Sequence, residues 1–358
     1  MMEKKKVAVG LSGGVDSSLS AALLKEQGYD VFGLFMKNWE EQDENGTCQS
    51  AKDAEDVMKI CDHLKIPFYS VNFSKEYYNT VFQDLLSGLK MGYTPNPDIL
   101  CNKEIKFKIF LEKALSLGAD YLATGHYCQN LKKDGSYKLL RGRDPNKDQT
   151  YFVYTLTQKE LSSVLFPIGG MDKEHVRAEA RKRGLITHDK KDSTGICFIG
   201  KRNFKEFISK YIPMQKGDLI DQKGNRVGQH AGAFYYTIGQ RKGLHIGGPG
   251  EAWFVYDKDI KKNIVYVTQG HDHPNLHTTI LEASDLTFVD LPPTKLPYHC
   301  TAKVRYRQVD TPCVIEKIEH GIAKISFKEP QRAVTLGQSI VFYKEEICIG
   351  GGIITKRN

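Results

Sequence analysis

Phosphate chemistry is legible in Gly10-Leu11-Ser12-Gly13-Gly14-Val15-Asp16-Ser17-Ser18, which follows the apolar run Val7-Ala8-Val9. Leu19, Leu23 and Leu24 then recur at three- and four-residue spacing, so the order is strand, glycine-rich turn, helix start. Adjacent glycines let the backbone approach an anion, and free N–H groups at a helix N-terminus point at it. A Walker A loop is excluded, because no Lys follows the glycines and an Asp stands inside the loop. Sulfur chemistry is possible at two further places. In Thr94-Pro95-Asn96-Pro97-Asp98-Ile99-Leu100-Cys101 two prolines impose a rigid entry, and Asp98 can cap the helix that follows. Cys101 then falls in its first turn, where a helix N-terminus favours thiolate, and Lys103 and Lys106 reinforce this. A proline-capped helix with an incidental cysteine explains the same residues equally well. Cys197, inside Asp192-Ser193-Thr194-Gly195-Ile196-Cys197-Phe198-Ile199-Gly200, reads by itself as a core residue.

These residues need a scaffold, and the pattern supplies one. Tyr29 to Met36 reads as a second buried strand, residues 51–65 as an amphipathic helix and Pro67 to Phe73 as a third strand. Helices over roughly 75–90 and 104–117 precede Ala119 to His126, a strand and turn. Strands alternating with helices predict a doubly wound parallel sheet with helices on both faces. Ligands of such sheets bind at the carboxyl ends of the strands. Gly10 to Ser17, Met36 and Gly125-His126 therefore share one rim. Residues 172–184 form a very basic helix (His175, Arg177, Arg181, Lys182, Arg183), read as a solvated face.

Formal net charge is +8, unevenly placed. The surplus is one in residues 1–200, five in 201–275 and two in 276–358, so the basic excess lies outside the phosphate-loop region. Appended units that hold a polyanion would have this distribution. The eight cysteines (48, 61, 101, 128, 197, 300, 313, 348) include no C-x-x-C pair, which leaves zinc ribbons and thioredoxin-type motifs without support. No apolar run reaches membrane-spanning length. The loop lies so near Met1 that no signal peptide is expected and a cytoplasmic location is.

The run S-G-G-V-D-S resembles the pyrophosphate (PP) loop of the ATP-pyrophosphatases. The ordered set of motifs is more specific. Phe35 to Trp39, N-P-D-x-x-C at 96–101, A-T-G-H-Y at 123–127 and K-D-Q at 147–149 resemble the bacterial-type tRNA-specific 2-thiouridylase family. So do S-T-G-I-C-F-I-G at 193–200, R-Y-R-Q at 305–308, G-Q-S at 337–339 and G-G-G-I-I at 350–354. The resemblance implies ATP-dependent 2-thiolation of the wobble uridine (position 34) in tRNA for Lys, Glu and Gln. Gly10, Leu11, Ser12, Gly13, Gly14, Val15, Asp16, Ser17, Met36 and Gly125 would bind ATP, with Asp16 helping to hold Mg²⁺. Cys197 would carry a persulfide and Cys101 would be the second catalytic cysteine, the two ending as a transient disulfide. Asp98 is suited to proton transfer. Asn96, Pro97 and Asp98 would touch the target base, which must be splayed out of its loop. His126, Lys147, Asp148, Gln149, Arg305, Tyr306 and Gln338 would contact tRNA. No resident metal is implied, and a monomer is expected. The sulfur donor would be a cysteine desulfurase or a relay carrier.

The same resemblance divides the chain into a PP-loop catalytic domain (1–204), a small central α/β linking domain (205–275) and a C-terminal β-barrel that binds tRNA (276–358). In the middle stretch Lys216-Gly217-Asp218 and Gly239 to Gly243 read as turns. In the last, alternation over 302–307 predicts Ala302, Val304 and Tyr306 on one strand face and Lys303, Arg305 and Arg307 on the other. Rival readings are a PP-loop synthetase that adenylates a small-molecule carbonyl, a nucleotide-sensing RNA-binding protein, and an iron–sulfur cluster on Cys101 and Cys197, with Asp98 as a candidate third ligand. The first gives no role to two cysteines, and the second predicts that binding survives loss of Cys197.

Overall fold

The computed structural model describes residues 4–40, 49–191 and 203–358. Cys48 and the segment 192–202, which holds Cys197, lie outside the described residues. Strands β1 (Lys6–Leu11), β2 (Asp30–Lys37), β3 (Phe68–Asn72) and β4 (Tyr121–Ala123) are parallel. A hairpin, β5 (Cys128–Lys133) and β6 (Ser136–Arg141), precedes the short β7 (Val164–Leu165), which completes a sheet ordered β3-β2-β1-β4-β7. Val7, Ala8 and Val9 are fully buried, as a continuous apolar strand requires when helices cover both faces. Gly33 in β2 lets the helix Gln49–Leu64 come close: a Cβ there would stand 2.5 Å from the Cys61 sulfur. The chain runs from β1 outward to β3 and returns to place β4 on the other side of β1. The topological switch therefore falls at the carboxyl ends of β1 and β4.

The central unit is a four-stranded sheet of β8 (Gly217–Ile220), β9 (Arg226–His230), β10 (Trp253–Asp259) and β11 (Ile264–Gln269), ordered β10-β11-β8-β9. Gly217 and Asp218, expected with Lys216 as a turn, instead begin β8. The preceding helix, Phe204–Ser209, buries Phe207 and Ile208 against the first unit, in the cluster that holds Tyr77, Phe82 and Cys101.

Strands β12 (His277–Phe288), β13 (Tyr298–Lys303), β14 (Thr311–Glu319), β15 (Ile322–Arg332), β16 (Ser339–Lys344) and β17 (Ile347–Arg357) follow in the order β12-β15-β14-β13-β16-β17. β12 also pairs with β17, so the six close into a barrel around Leu281, Ala302, Ile315, Ile325, Ile340 and Phe342. Its outer edge is extended from elsewhere in the chain, because β6 pairs with β17 (Leu140 with Ile347, Leu139 with Cys348). One core consequently runs from Phe32 and Leu122 of the first sheet through Tyr151 and Tyr154 to Val341 and Tyr343 of the barrel.

The alternating face expected over 302–307 does not form. β13 ends at Lys303, and Arg307 turns through a positive φ of 64°. Lys303 is buried, and Arg305 lies within a seam between units. Lys303 finds a buried carboxylate, Asp148, and Arg305 finds a carbonyl and a hydroxyl, and these partners outweigh the simple preference of a charged side chain for water.

Candidate active site

The rim is built first by β1. The chain leaves it at Leu11, turns at Gly13 (φ 72°) and enters the helix Val15–Glu26 from Gly14, with no side chain capping the first turn. The Ser17 and Ser18 hydroxyls both donate to the Gly14 carbonyl, and Ser17 Oγ accepts from the Ser12 amide at 3.2 Å. The loop is thus tied from within by its own serines.

Asp16, the first-turn acid, faces a lysine. Lys173 Nζ lies 2.8 Å from both carboxylate oxygens, and the Tyr127 hydroxyl donates to Oδ1 at 2.7 Å. Lys173 opens the helix Lys173–Lys182, capped by Asp172, and is nine-tenths buried. The sequence pattern passes it by, because that helix reads as a solvated basic face. One signal does single it out: a helix N-terminus disfavours a cation, so a lysine there points to an outside partner. A second cation, Lys190, is held by Asp53 (3.2 Å) and Asp56 (2.7 Å) of the helix Gln49–Leu64. It comes within 3.4 Å of where a Cβ on Gly13 would stand.

Gly125, at the end of β4, completes the rim. A Cβ there would lie 2.7 Å from the Ser17 nitrogen and 2.8 Å from the Asp16 carbonyl carbon, so only glycine lets β4 touch the loop. His126 turns inward. Its Nδ1 bonds the Thr124 hydroxyl at 2.8 Å, and its ring packs between Phe107 and Phe166. Burial first, and Lys106 second, push its pKa well below the usual imidazole value, which keeps the ring neutral.

The cap of the cysteine helix lies two residues before Asp98, to which the sequence assigned it. Asn96 is the cap: its Oδ1 accepts from the Asp98 amide at 3.1 Å, with Pro97 at the first helical position. A neutral amide holding this geometry is worth about 1 kcal/mol. Asp98 is then half-buried inside the first turn, its carboxyl raised above the ordinary aspartate range by burial while Lys106 pulls the other way. Cys101 follows at the start of a π-helical stretch, Cys101–Phe110, and is 3% exposed. It shares a cluster with Met36 and Trp39, the residues that end and follow β2. The end of β2 and the thiol therefore pack into one cluster. Asn102, next in the chain, donates from Nδ2 to the Phe152 carbonyl at 2.9 Å, and Phe152 packs on Tyr306 at 4.3 Å between ring centres.

The remaining candidate residues lie along the seam between the first unit and the barrel, and the bonds of four of them are internal. Asp148 is 4% exposed, caps Thr150 through backbone and hydroxyl, and faces Lys303 at 3.3 Å and Arg141 at 3.8 Å. Gln149 Oε1 accepts from the Tyr127 amide. Arg305 donates to the Ile238 carbonyl and the Thr335 hydroxyl, both at 2.6 Å, clamping the central sheet to the barrel. Gln338 donates to the Thr94 carbonyl, two residues before Asn96. Lys147 is half-buried in the same loop. Among the described residues no group of three or more His, Cys, Asp or Glu is placed to hold a metal ion. No helix among them is long and apolar enough to cross a membrane.

Known proteins with this chain's features are found over its whole length. Residues 5–201 match the family model described as the tRNA methyl transferase HUP domain. Residues 205–269 match the tRNA methyl transferase PRC-barrel domain, and 278–354 the aminomethyltransferase beta-barrel domain. The chain is 60% identical over 355 residues to the tRNA-specific 2-thiouridylase MnmA of Protochlamydia amoebophila (strain UWE25), covering 99% of this chain and 94% of that one. It is 54% identical over 352 residues to the enzyme of the same name from Halalkalibacterium halodurans, covering 98% and 95%. The Francisella tularensis subsp. tularensis (strain WY96-3418) protein, also so named, is 54% identical over 358 residues, covering 99% and 100%.

Proposed function

We infer that this chain, which belongs to the tRNA-specific 2-thiouridylase family, catalyses the ATP-dependent exchange of the C2 oxygen of a tRNA wobble uridine for sulfur. The observation that carries this reading is the convergence at one rim. An uncapped helix start flanked by two lysines lies at the sheet edge, and Cys101 shares its cluster with Met36 from that edge.

An amide-like oxygen is a poor leaving group, so it first attacks the α-phosphorus of ATP while the bond to pyrophosphate breaks. Backbone N–H groups of the loop, with Lys173 and Lys190, suit the charge of that leaving group. Mg²⁺ accompanies ATP and neutralises its polyphosphate. Such ions take one or two carboxylates and complete their shell with phosphates and water, and Asp16 would hold it once Lys173, which spans both of its oxygens, turns to the pyrophosphate. A persulfide on Cys197 then attacks C2, and AMP leaves with the former C2 oxygen. The Cys101 thiolate attacks the inner Cys197 sulfur, and the electron pair of the broken S–S bond stays with the sulfur on C2 as the thiocarbonyl. Release of hydrogen sulfide by Cys101 before attack ends at the same Cys101–Cys197 disulfide, which a thiol reductant reopens. Asp98, whose carboxyl pKa is raised by burial, would move the proton.

The finer reading takes tRNA for Lys, Glu and Gln as substrates, a cysteine desulfurase or relay carrier as donor, and a monomer in the cytoplasm. It assigns catalysis to residues 1–204, linkage to 205–275 and tRNA contact to 276–358, together with Asn96, Pro97, His126, Lys147 and Tyr306. The test is purified protein with ATP, Mg²⁺, persulfide-charged desulfurase and unmodified tRNA for Glu, read by nucleoside mass spectrometry. Expected are 2-thiouridine at the wobble position, AMP and pyrophosphate, with thiolation lost in Cys197→Ser. ATP cleavage without sulfur in the tRNA would refute the reading in favour of a small-molecule acceptor.

A further inference from the structure

A second pair of thiols lies far from this chemistry along the chain. Cys300 in β13 and Cys313 in β14 are direct partners in the antiparallel register, and their sulfurs are 3.6 Å apart. Directly opposed residues of an antiparallel pair have Cα atoms roughly 4.5–5.5 Å apart, inside the roughly 4.4–6.8 Å that a disulfide spans. Neighbouring register pairs, Tyr298 with Ile315 and Ala302 with Thr311, hold the two strands in step on either side. The sulfurs are therefore presented to each other by the ladder. The two differ in access: Cys300 is half-buried, whereas Cys313 is 4% exposed. Cys61, Cys128 and Cys348 are fully buried in other cores, and burial pushes each thiol upward.

We propose that Cys300 and Cys313 form a reversible dithiol–disulfide site in the barrel, whose co-substrate is a low-molecular-weight disulfide. The Cys300 thiolate, the accessible one, attacks the small disulfide, forming a mixed disulfide and expelling one small thiolate. Cys313 loses its proton to solvent and attacks the Cys300 sulfur, expelling the second. Two electrons pass from the cysteine pair to the small disulfide, which leaves as two thiols. Cys313 is held protonated until then, first by its hydrogen bond with Cys300 and then by burial. The bond would close the base of the turn 304–310, which carries Arg305 to the central sheet and Tyr306 to Phe152. The inference does not depend on the proposed activity.

The full-length protein is equilibrated with glutathione and glutathione disulfide, its remaining thiols are blocked, and non-reduced tryptic peptides are weighed. Cleavage after Lys295, Lys303, Arg307 and Lys317 separates the two cysteines, so the disulfide appears as peptide 296–303 joined to peptide 308–317. The folded protein should yield this joined species, and at the same glutathione ratio the urea-unfolded chain should yield at least tenfold less. In Cys313→Ser, Cys300 should stop at the glutathione adduct. Recovery of both peptides singly blocked from folded protein would overturn the proposal. So would equal oxidation of the unfolded chain, or a Cys300 that takes no glutathione in Cys313→Ser.

Discussion

Replacing Gly125 by alanine adds one methyl group at the point where β4 meets the phosphate loop. Its carbon would stand 2.7 Å from the Ser17 nitrogen and 2.8 Å from the Asp16 carbonyl carbon, where ordinary contact begins at 3.4 Å. Both are backbone atoms, so no side chain can rotate away. The loop or the strand must move by about 0.7 Å, and a displacement near 1 Å at a reacting group costs about 100-fold in rate. Overpacking of this kind also destabilises by about 1–3 kcal/mol. The sheet can absorb part of the strain at β7, a two-residue edge strand, but β1 and β2 are pinned in the core. Pyrophosphate release at saturating tRNA should therefore fall by about 10- to 100-fold in Gly125→Ala, with KM for ATP raised. Urea unfolding should show the chain still folded. Wild-type KM and rate would refute the reasoning, because they would mean that the loop tolerates the shift.

Two further substitutions separate internal roles from substrate contact. Asp148→Asn leaves Lys303 facing an uncharged amide in a buried seam, while Arg141 keeps Asp310 at 3.0 Å, and removing one partner of a buried pair costs about 3–5 kcal/mol. Urea denaturation should show that loss; unchanged stability with weakened tRNA binding would instead make Asp148 a contact residue. Asp98 binds its proton more tightly in the folded state than in the unfolded chain. Wild-type stability should accordingly fall relative to Asp98→Asn as pH rises through the interval from the ordinary aspartate value to the raised one. Urea midpoints of the two proteins at about pH 4 and about pH 7 should diverge in that direction, and parallel midpoints would contradict it.

Local pattern was enough for the parts of this protein whose physics is local. The phosphate loop is legible because glycines, a preceding apolar run and a following helical period are contiguous. The parallel sheet is legible because burial on both faces leaves uninterrupted runs such as Val7-Ala8-Val9 and Val31 to Phe35. Family likeness supplied the ordering of remote motifs and the C-terminal barrel.

Only the tertiary structure decided which charges meet. Lys173 reaches Asp16 across 157 residues and Lys303 reaches Asp148 across 155, and no periodicity records a partner so distant. The same limit put Lys303 and Arg305 on one strand face without naming a partner for either, since alternation reports the pleat and not what is packed against it. It also hid the strand pairing of β6 with β17, the closure of the barrel by β12 and the juxtaposition of Cys300 with Cys313. The chain chooses its elements from neighbours a few residues apart. It chooses its ion pairs and its seams from whatever the packed elements bring within a few ångströms.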